Sequence, residues 1–381
     1  MRLHTYIFTQ ERRIIMKKKM ILGLAVILSF ACFTGCGSSE SQTESSNDTA
    51  VISVAEADEN GLCKPTSSPE QTKVTIHSGR DYQMAAQLVT AKEKGYFDEA
   101  GLDVEITWYQ TASDIPTAMI SGDIDLAFGS WTNPMQVKSY GIDCNILASL
   151  GDASGTLSLI VSPDSGITSV EDITDKTLTL TNAAIVTRTL ENICNLYGID
   201  YDALNIVNTA PSDGLASFMN GDVDAIFTWQ PYCAQAIEAG GVEILSGSYD
   251  YLNDEALSDL YICGYTFYAT ESYCEKNPNT VAAIMWALAK AEIDLENEDS
   301  KAEIADLTYE TMGLTSADIA LANLNAMKYS MEFTEEWADT FNSEIPYYKE
   351  IGSIPEEFDG YSVMNTKFLE TVAPDWAKKS Y

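Results

Sequence analysis

One short segment of this sequence occurs twice, 99 positions apart, and this repeat restricts the possible folds more than any other feature. The identical residues are Ser113 and Ser212, Asp114 and Asp213, Gly122 and Gly221, Asp123 and Asp222, Asp125 and Asp224, and Phe128 and Phe227. Their types suit a helix that begins at the serine, ends at the glycine and leads into a short strand. The repeat therefore predicts two similar lobes, each with an equivalent helix–strand element.

Strand and helix patterns alternate around the first copy of the repeat. Residues 74–77, 102–109 and 124–128 have the alternation or the β-branched and aromatic content of strands. Residues 83–94 have helical composition and end at Gly95. A length of 381 residues favours two lobes of ordinary size. We therefore predict the α/β class, with two lobes that are each a mainly parallel sheet flanked by helices.

The repeat also contains two pairs of closely spaced carboxylates, Asp123 with Asp125 and Asp222 with Asp224. Such pairs can serve acid–base catalysis or bind a metal ion. A catalytic pair is rarely needed at equivalent places in two lobes, whereas turn residues are. We therefore interpret both pairs as structural and assign no catalytic and no metal-binding residue.

Open parallel sheets bind ligands beyond the carboxyl ends of their strands, so the residues after the predicted strands are candidates for ligand contact. The candidate ligand-binding residues are His77, Arg80, Asp81, Tyr82, Ser113, Asp114, Ser130, Trp131, Thr132, Asn182, Ala183, Thr187, Asp213, Trp229, Gln230 and Tyr232. A ligand held by both groups of strand ends would lie between the two lobes.

Two tryptophans stand just after equivalent strands, Trp131 after Phe128 and Trp229 after Phe227. One large apolar residue from each lobe could cover a ligand from two sides. The alternative is that each tryptophan packs against its own lobe. The matched positions favour contact with a ligand, so we expect the two rings to approach each other across the cleft.

Predicted helix N-termini at Asn182, Ser113 and Ser212 could supply backbone N–H groups to an anionic part of a ligand. Arg188 is a cation nearby, but the apolar stripe of its helix lies on the opposite face. We therefore expect Arg188 to form a solvated ion pair with Glu191.

The acidic balance of the chain, 57 Asp and Glu against 22 Lys and Arg, gives a formal net charge of −35. Binding to nucleic acid or to anionic lipid needs a basic face, so both are excluded. Only His4 and His77 are present, which excludes a histidine-based zinc site and leaves a Ser-His-Asp hydrolase barely possible. His77 follows a predicted strand and is either a ligand contact or a structural histidine.

The amino terminus has the pattern of an export signal. Three lysines at 17–19 precede an apolar run at 20–33, which is too short for a permanent membrane span. The sequence FTGC ending at Cys36 resembles the bacterial lipoprotein signal, in which that cysteine carries lipid. We expect residues 1–35 to be a signal peptide with its natural start at Met16, and Cys36 to be lipidated; a plain signal peptide is the alternative.

Polar residues after Cys36 predict a flexible tether over residues 36–71. Six further cysteines follow, and their spacing selects none of the 15 possible disulfide pairings. Free buried thiols are an equally good interpretation.

Several motifs together identify a family resemblance that extends over residues 73–380. Residues 94–104 read KGYFDEAGLDV and match the pattern G-[YF]-F-x-x-x-G-L-x-V, while SGDIDLA at 121–127, NGDVDA at 220–225 and the Trp229-Gln230-Pro231 triplet are further matches. The combination resembles extracytoplasmic solute-binding proteins for aliphatic sulfonates, taurine, nitrate and thiamine-precursor pyrimidines. No motif selects one of these solutes.

The resemblance implies a two-lobe periplasmic-binding fold of type II in which the chain returns to complete the first lobe. Lobe I would comprise residues 72–162 and 264–381, and lobe II residues 163–263. It also implies a monomer without a cofactor, located outside the cytoplasm, that delivers a small solute to the permease of an ABC importer. An enzyme on the same fold is the alternative, but this chain lacks the Cys-rich motif of the relatives that make the thiamine pyrimidine.

Overall fold

The structure is a computed structural model that describes three stretches of the chain, residues 52–181, 183–257 and 264–377. The chain divides into two compact units, Met1–Thr49 and Ala50–Tyr381, and every described residue belongs to the second. The expected signal peptide, Met16, Cys36 and the first part of the tether lie outside the described residues.

The strands of the described residues form two sheets. In chain order they are β1 (Lys73–Gly79), β2 (Asp103–Tyr109), β3 (Leu126–Ser130), β4 (Cys144–Asp152), β5 (Leu157–Val161), β6 (Thr177–Thr181), β7 (Asn205–Thr209), β8 (Ala225–Trp229), β9 (Val242–Ser246), β10 (Tyr249–Asp250), β11 (Glu255–Ala256) and β12 (Gly264–Thr270). The sheet of lobe I has the order β2-β1-β3-β12-β4, and the sheet of lobe II has the order β11-β10-β9-β5-β8-β6-β7.

Helices cover both sheets. In chain order they are α1 (Tyr82–Glu93), α2 (Tyr96–Glu99), α3 (Ile115–Ser121), α4 (Thr132–Ser139), α5 (Ala184–Tyr197), α6 (Pro211–Met219), α7 (Tyr232–Glu238), α8 (Glu271–Lys276), α9 (Pro278–Glu296), α10 (Glu298–Thr308), α11 (Ala317–Asn325), α12 (Glu335–Glu350) and α13 (Lys367–Val372). No helix of the described stretches is long and apolar enough to span a membrane.

Each sheet contains strands that run mostly in one direction, with a reversed strand in its middle. In lobe I, β1 is parallel to β2 and β3, while β12 is antiparallel to both β3 and β4. In lobe II, β6 is parallel to β7 and β8, while β5 is antiparallel to both β8 and β9. The reversed strands β5 and β12 directly follow the crossings between the lobes, because the chain enters each sheet from the opposite side, and β10 is reversed as well by its antiparallel pairing with β9. The predicted α/β fold with two lobes is confirmed.

The first crossing lies earlier than expected. The expected boundary lay between residues 162 and 163, but β5 already pairs with β8 and β9 of lobe II, so the chain crosses at residues 153–156. Residues 157–161 are uniformly buried, and a uniformly buried strand carries no sign of the sheet to which it belongs. Lobe I was expected to resume at residue 264, and β12 of its sheet begins at Gly264.

The two copies of the repeat form equivalent elements, α3 with β3 and α6 with β8. Gly122 and Gly221 follow the ends of α3 and α6. Their φ angles of 82° and 76° lie in the left-handed region, which only glycine adopts without strain. The helix starts differ from the expected serine caps. Helix α3 begins after a 3₁₀ turn that contains Ser113, and α6 begins at Pro211 after Ala210, so neither serine caps its helix.

The second aspartate of each repeated pair tethers a neighbouring strand. Asp125 accepts a hydrogen bond from the Thr270 hydroxyl at 2.6 Å, and Asp224 accepts one from the Thr177 N–H at 2.8 Å. These contacts support the structural interpretation of both pairs.

Residues 52–71 are packed against lobe I, whereas the sequence predicts a flexible tether as far as residue 71. Ile52 and Leu62 are buried in the core, and the N–H of Cys63 donates to the carbonyl of Val372. The Glu70 carboxylate accepts the N–H groups of the first turn of α9, which holds the pKa of Glu70 below its usual value. This stretch has few apolar residues, so its composition predicts a tether, but those few residues pack well against the surface of the lobe.

The helices after β12 cover lobe I, as the sequence predicts. Helix α9 packs along α1, where Gln87 donates to the buried carboxylate of Glu292 at 2.8 Å. The five cysteines of the described stretches, Cys63, Cys144, Cys194, Cys233 and Cys274, are all free thiols.

Candidate functional site

A cleft between the lobes forms two chambers, and Asp81 and Trp229 belong to the walls of both. The first chamber, of about 630 Å³, is lined by Asp81, Met84, Thr111, Ala112, Ser113, Ser130, Thr132, Asn133, Gln136, Tyr265 and Ser353 of lobe I and by Ala183, Ala184, Ile185 and Trp229 of lobe II. The second, of about 940 Å³, is lined by Arg80, Asp81, Trp108, Tyr109, Gln110, Met312, Gly313 and Leu314 of lobe I and by Trp229, Pro231, Tyr232 and Gln235 of lobe II.

Hydroxyl and amide groups at the end of β3 form one wall of the first chamber. The Ser130 hydroxyl lies 2.6 Å from the Thr132 hydroxyl and donates to the Asn133 side chain at 3.1 Å. Asn133 in turn donates to the carbonyl of Ala112 at 2.8 Å. Any side chain at Gly129 would collide with Asn133, because a Cβ there would lie 2.5 Å from its Oδ1. The glycine thus permits the close packing that orients this polar wall.

The start of α5 forms the opposite wall, in lobe II. Ala183 precedes the helix in an extended conformation and makes no side-chain cap, so the first N–H groups of α5 have no side-chain partner among the described residues. These donors and the helix dipole suit a hydrogen-bond acceptor on a ligand.

Asp81 stands at the boundary between the chambers and caps α1. Its Oδ1 accepts the Met84 N–H at 3.2 Å. Burial raises the pKa of Asp81 to about 7, although the N–H groups of Met84 and Gln83 oppose this shift. A carboxylate in such surroundings gains from any partner that stabilises its negative charge.

Aromatic side chains complete the cleft. Trp229 is half-buried at the end of β8, and Tyr232 follows at the start of α7. Burial and, to a smaller degree, the negative charge of Asp81 raise the pKa of Tyr232, and both side chains line the second chamber. Arg80 places its guanidinium over the Trp108 ring, 5.7 Å from the ring centre.

Eight of the candidate residues from the sequence line the cleft. Asp81, Ser113, Ser130, Thr132, Ala183 and Trp229 line the first chamber, and Arg80 and Tyr232 join Asp81 and Trp229 in the second. Asn182 lies outside the described residues.

Trp131 does not face the cleft. Its ring is fully buried in lobe I, in edge contact with Trp337 at 5.9 Å and Phe341 at 6.1 Å between ring centres. Both partners belong to α12, which follows Trp131 by about 200 residues in the chain. The expected approach of Trp131 and Trp229 across the cleft is therefore not formed, and the alternative, packing within its own lobe, holds for Trp131.

Three further candidates have structural partners. His77 lies beside Tyr109, whose hydroxyl is 3.4 Å from its Nδ1, and burial lowers the pKa of His77. Tyr82 is buried with its hydroxyl 2.6 Å from that of Thr308. Gln230 is buried too, and its carbonyl accepts the Gln83 side chain at 2.9 Å, a contact between the lobes.

The remaining candidates lie outside both chambers. Asp114 and Asp213 are exposed on the first turns near α3 and α6, and Thr187 on α5 bonds to Tyr201. The sequence reasoning placed them correctly near strand ends, but their side chains point elsewhere.

Several wall residues are absent from the candidate set. Gln110 and Thr111 directly follow β2, where the strand-end rule applies, but they were not among the candidates. Tyr265, Ser353 and residues 312–314 come from the returning part of the chain, and nothing in their local sequence indicates a place in the cleft.

Arg188 joins the lobes rather than forming a solvated pair. Its guanidinium donates to both carboxylate oxygens of Glu344 in α12 at 3.0 and 3.1 Å and covers the Tyr347 ring at 4.0 Å. The Tyr347 hydroxyl donates to Glu191 at 2.7 Å, while the expected contact of Arg188 with Glu191 is longer, 3.9 Å. We call Arg188, Glu191, Glu344 and Tyr347 the inter-lobe cluster.

The order of the two sheets and the cleft between them define a two-lobe periplasmic-binding fold of type II. A solved structure with this fold is the alkanesulfonate-binding protein SsuA from Xanthomonas axonopodis pv. citri bound to MOPS. It superposes with a TM-score of 0.64 over 77% of this chain and 98% of that protein, at 16% sequence identity. Residues 83–302 match the NMT1/THI5-like family, and the chain belongs to that family. The expected family and fold are thus confirmed.

Two relatives show the range of proteins to which the chain is similar. One relative, from Bacillus subtilis (strain 168), is named for binding aliphatic sulfonates. It is 24% identical over 227 residues, which cover 58% of this chain and 66% of the relative. The 4-amino-5-hydroxymethyl-2-methylpyrimidine phosphate synthase of Schizosaccharomyces pombe is 23% identical over 219 residues, covering 55% of this chain and 61% of the enzyme. The similarity spans slightly less than two thirds of each relative.

Proposed function

We propose that this protein is the extracytoplasmic solute-binding component of an ABC importer. It captures a small organic solute between its lobes and delivers it to permease subunits in the membrane. The observation that carries the proposal is the cleft, in which polar groups of β3 and α4 face the start of α5 and the Trp229 ring across a space of about 630 Å³. Such a mixture of apolar and polar walls suits a small ligand. The names of the sulfonate-binding relatives also support a small organic solute.

The lipid on Cys36 and the monomeric state belong to the proposal. A lipid anchor would keep the receptor beside the outer face of the membrane, where the permease is. Delivery by a monomer requires only that the two lobes open and close around one solute.

An enzyme on the same fold is the second candidate, because one relative is named as a pyrimidine phosphate synthase. The described wall residues of the two chambers include no cysteine, lysine or histidine. The side chains that most often serve as covalent nucleophile or general base are therefore not found among them, and capture without covalent chemistry is the better explanation.

The experiment that tests the proposal is mass spectrometry of the solute that remains bound after purification, followed by return of that solute to the emptied protein. Binding to the folded form alone raises the free energy of unfolding by about 2.7 kcal/mol at a hundredfold excess over Kd, so the melting temperature should rise. The solute should also be recovered unchanged. If extracts of the growth medium and of cells yield no retained compound and leave the melting curve in place, the proposed function is wrong. Conversion of the solute into a product would support the enzyme.

A further inference from the structure

The described walls of the cleft carry an unusual balance of charge. Among the described wall residues of the first chamber, Asp81 is the only one with an acidic side chain, and none is Lys or Arg. The second chamber adds Arg80, whose guanidinium lies over the face of Trp108. No salt bridge within the described stretches involves Asp81. The cleft thus holds a carboxylate without a basic partner.

The position of Asp81 works against an anionic group on that side of the cleft. The N-terminus of α1 would otherwise offer N–H groups to an anion, but the Asp81 carboxylate already accepts the N–H of Met84 there. A sulfonate or carboxylate placed against α1 would meet a negative charge and find its donor taken. The formal charge of −35 adds a weaker repulsion on approach.

The neighbours of Asp81 are suited to a cation. Trp229 shares both chambers with Asp81, and Tyr232 is close enough for the carboxylate to influence its pKa. Aromatic faces beside a carboxylate attract positively charged nitrogen. On the lobe II wall of the first chamber, the start of α5 offers N–H donors to the other end of a ligand.

We propose that the solute carries a protonated nitrogen that pairs with Asp81, while its opposite end accepts hydrogen bonds from the N–H groups at the start of α5. This inference rests on the proposed function and narrows it. Simple alkanesulfonates and nitrate, which have no such nitrogen, are excluded as the solute. The burial that raises the pKa of Asp81 in the empty cleft is consistent, because a cationic partner would restore the ionised form.

Two matched pairs of probes test the inference on the full chain. Taurine and isethionate share a sulfonate and a two-carbon spacer but differ in ammonium against hydroxyl. Benzamidine and benzenesulfonate share a flat ring and carry opposite charges. In titration calorimetry and thermal melting, we expect the nitrogen-bearing member of at least one pair to bind at least tenfold more tightly than its match.

The variant Asp81→Asn assigns any such preference to this side chain. Asparagine caps a helix about as well as aspartate, so α1 should remain folded. We expect the variant to bind both members of the pair with affinities within about twofold of each other. Asp123→Asn, on an exposed turn where the Ser121 hydroxyl donates to its carboxylate, removes one negative charge as well and should retain the full preference.

Three results would overturn the inference: binding of isethionate or benzenesulfonate at least as tightly as its partner, a preference that survives in Asp81→Asn, or no binding of either nitrogen-bearing probe. The retained solute separates this failure from that of the proposed function. A tightly held anion without a basic nitrogen would leave the receptor function standing and refute the role of Asp81. Retention of no compound at all would refute the receptor function itself.

Discussion

The inter-lobe cluster should control how tightly the protein binds its solute although it lines neither chamber. Arg188 belongs to α5 of lobe II, and Glu344 belongs to α12, which packs on lobe I through Trp337. Arg188→Met removes the guanidinium and keeps most of the apolar length of the side chain. Because the pair spans the lobes, its loss should favour separation of the lobes.

The magnitude follows from the geometry of the pair. Arg188 makes two charge-assisted hydrogen bonds to Glu344, and the side chains are only 23% and 10% exposed. Hydrogen bonds to charged groups contribute about 1.5–3 kcal/mol, and the Tyr347 ring adds roughly 0.5–1 kcal/mol. Desolvation and ordering of the side chains offset part of this gain, which leaves a net contribution of about 2 kcal/mol. That value corresponds to about a thirtyfold change in an equilibrium constant.

The assay is titration calorimetry with the solute retained on purification, together with small-angle scattering of the empty protein. If the arrangement of lobes seen here is the form that binds, Kd rises in proportion to the loss of that form, so Arg188→Met should weaken binding by up to about thirtyfold. The radius of gyration should increase. Since the single change also leaves the Glu344 carboxylate unpaired, Glu344→Gln and the double variant are needed to isolate the coupling of the pair.

Lys138→Met is the matched control. Its salt bridge with Asp143, at 2.7 Å, lies within lobe I, so affinity should stay within about twofold of the parent. Unchanged affinity and radius of gyration in Arg188→Met, with only the melting temperature lowered, would show that the cluster stabilises the fold without governing closure. An equal loss of affinity in the control would refute the argument as well.

Three further predictions concern other parts of the chain. Trp131→Ala should lower the free energy of unfolding in urea by about 3–5 kcal/mol, because the ring is fully buried. Trp229→Ala should instead weaken solute binding in calorimetry at least tenfold, with unchanged far-ultraviolet dichroism. Loss of binding in the first variant and loss of stability in the second would refute both assignments. Burial raises the pKa of Glu292 from 4.5 to about 8, so the folded protein keeps a proton that the unfolded chain releases. Stability in urea should therefore fall as pH rises between these values, by at most about 1.4 kcal/mol per pH unit, and Glu292→Gln should flatten this decline. Cys36→Ser should release the protein from membranes without changing solute affinity, and a variant that stays membrane-bound without lipid would refute the anchor.

Much of the architecture could be predicted because its signals are local. The repeat identified α3 with β3 and α6 with β8, and the strand-end rule found Asp81, Ser130 and Trp229 in the cleft. Glycine after a helix and apolar residues in a short strand act through their immediate neighbours, so a single sequence records them.

The parts that could not be predicted depend on contacts distant in the chain. Trp131 and Trp229 occupy nearly equivalent places, and only the covering of Trp131 by Trp337 and Phe341 makes one a core residue and the other a wall of the cleft. Arg188 has Glu191 nearby on its own helix, but Glu344 offers a better-shaped partner from the other lobe. In both cases the returning chain decides, and no spacing within the local sequence reports where it comes to lie.

The late arrival of the reversed strand β12 also determines the order in which the two sheets can be completed. The strands of lobe II follow one another from β5 to β11, so one continuous segment carries its whole sheet. In lobe I, β12 separates β3 from β4 and arrives only after the entire second lobe has been traversed. Until then the first sheet consists of two pieces, β2-β1-β3 and β4, with exposed edges facing each other. A chain that folds as it emerges would therefore complete lobe II first, and the strand that closes lobe I would fix both crossings at once.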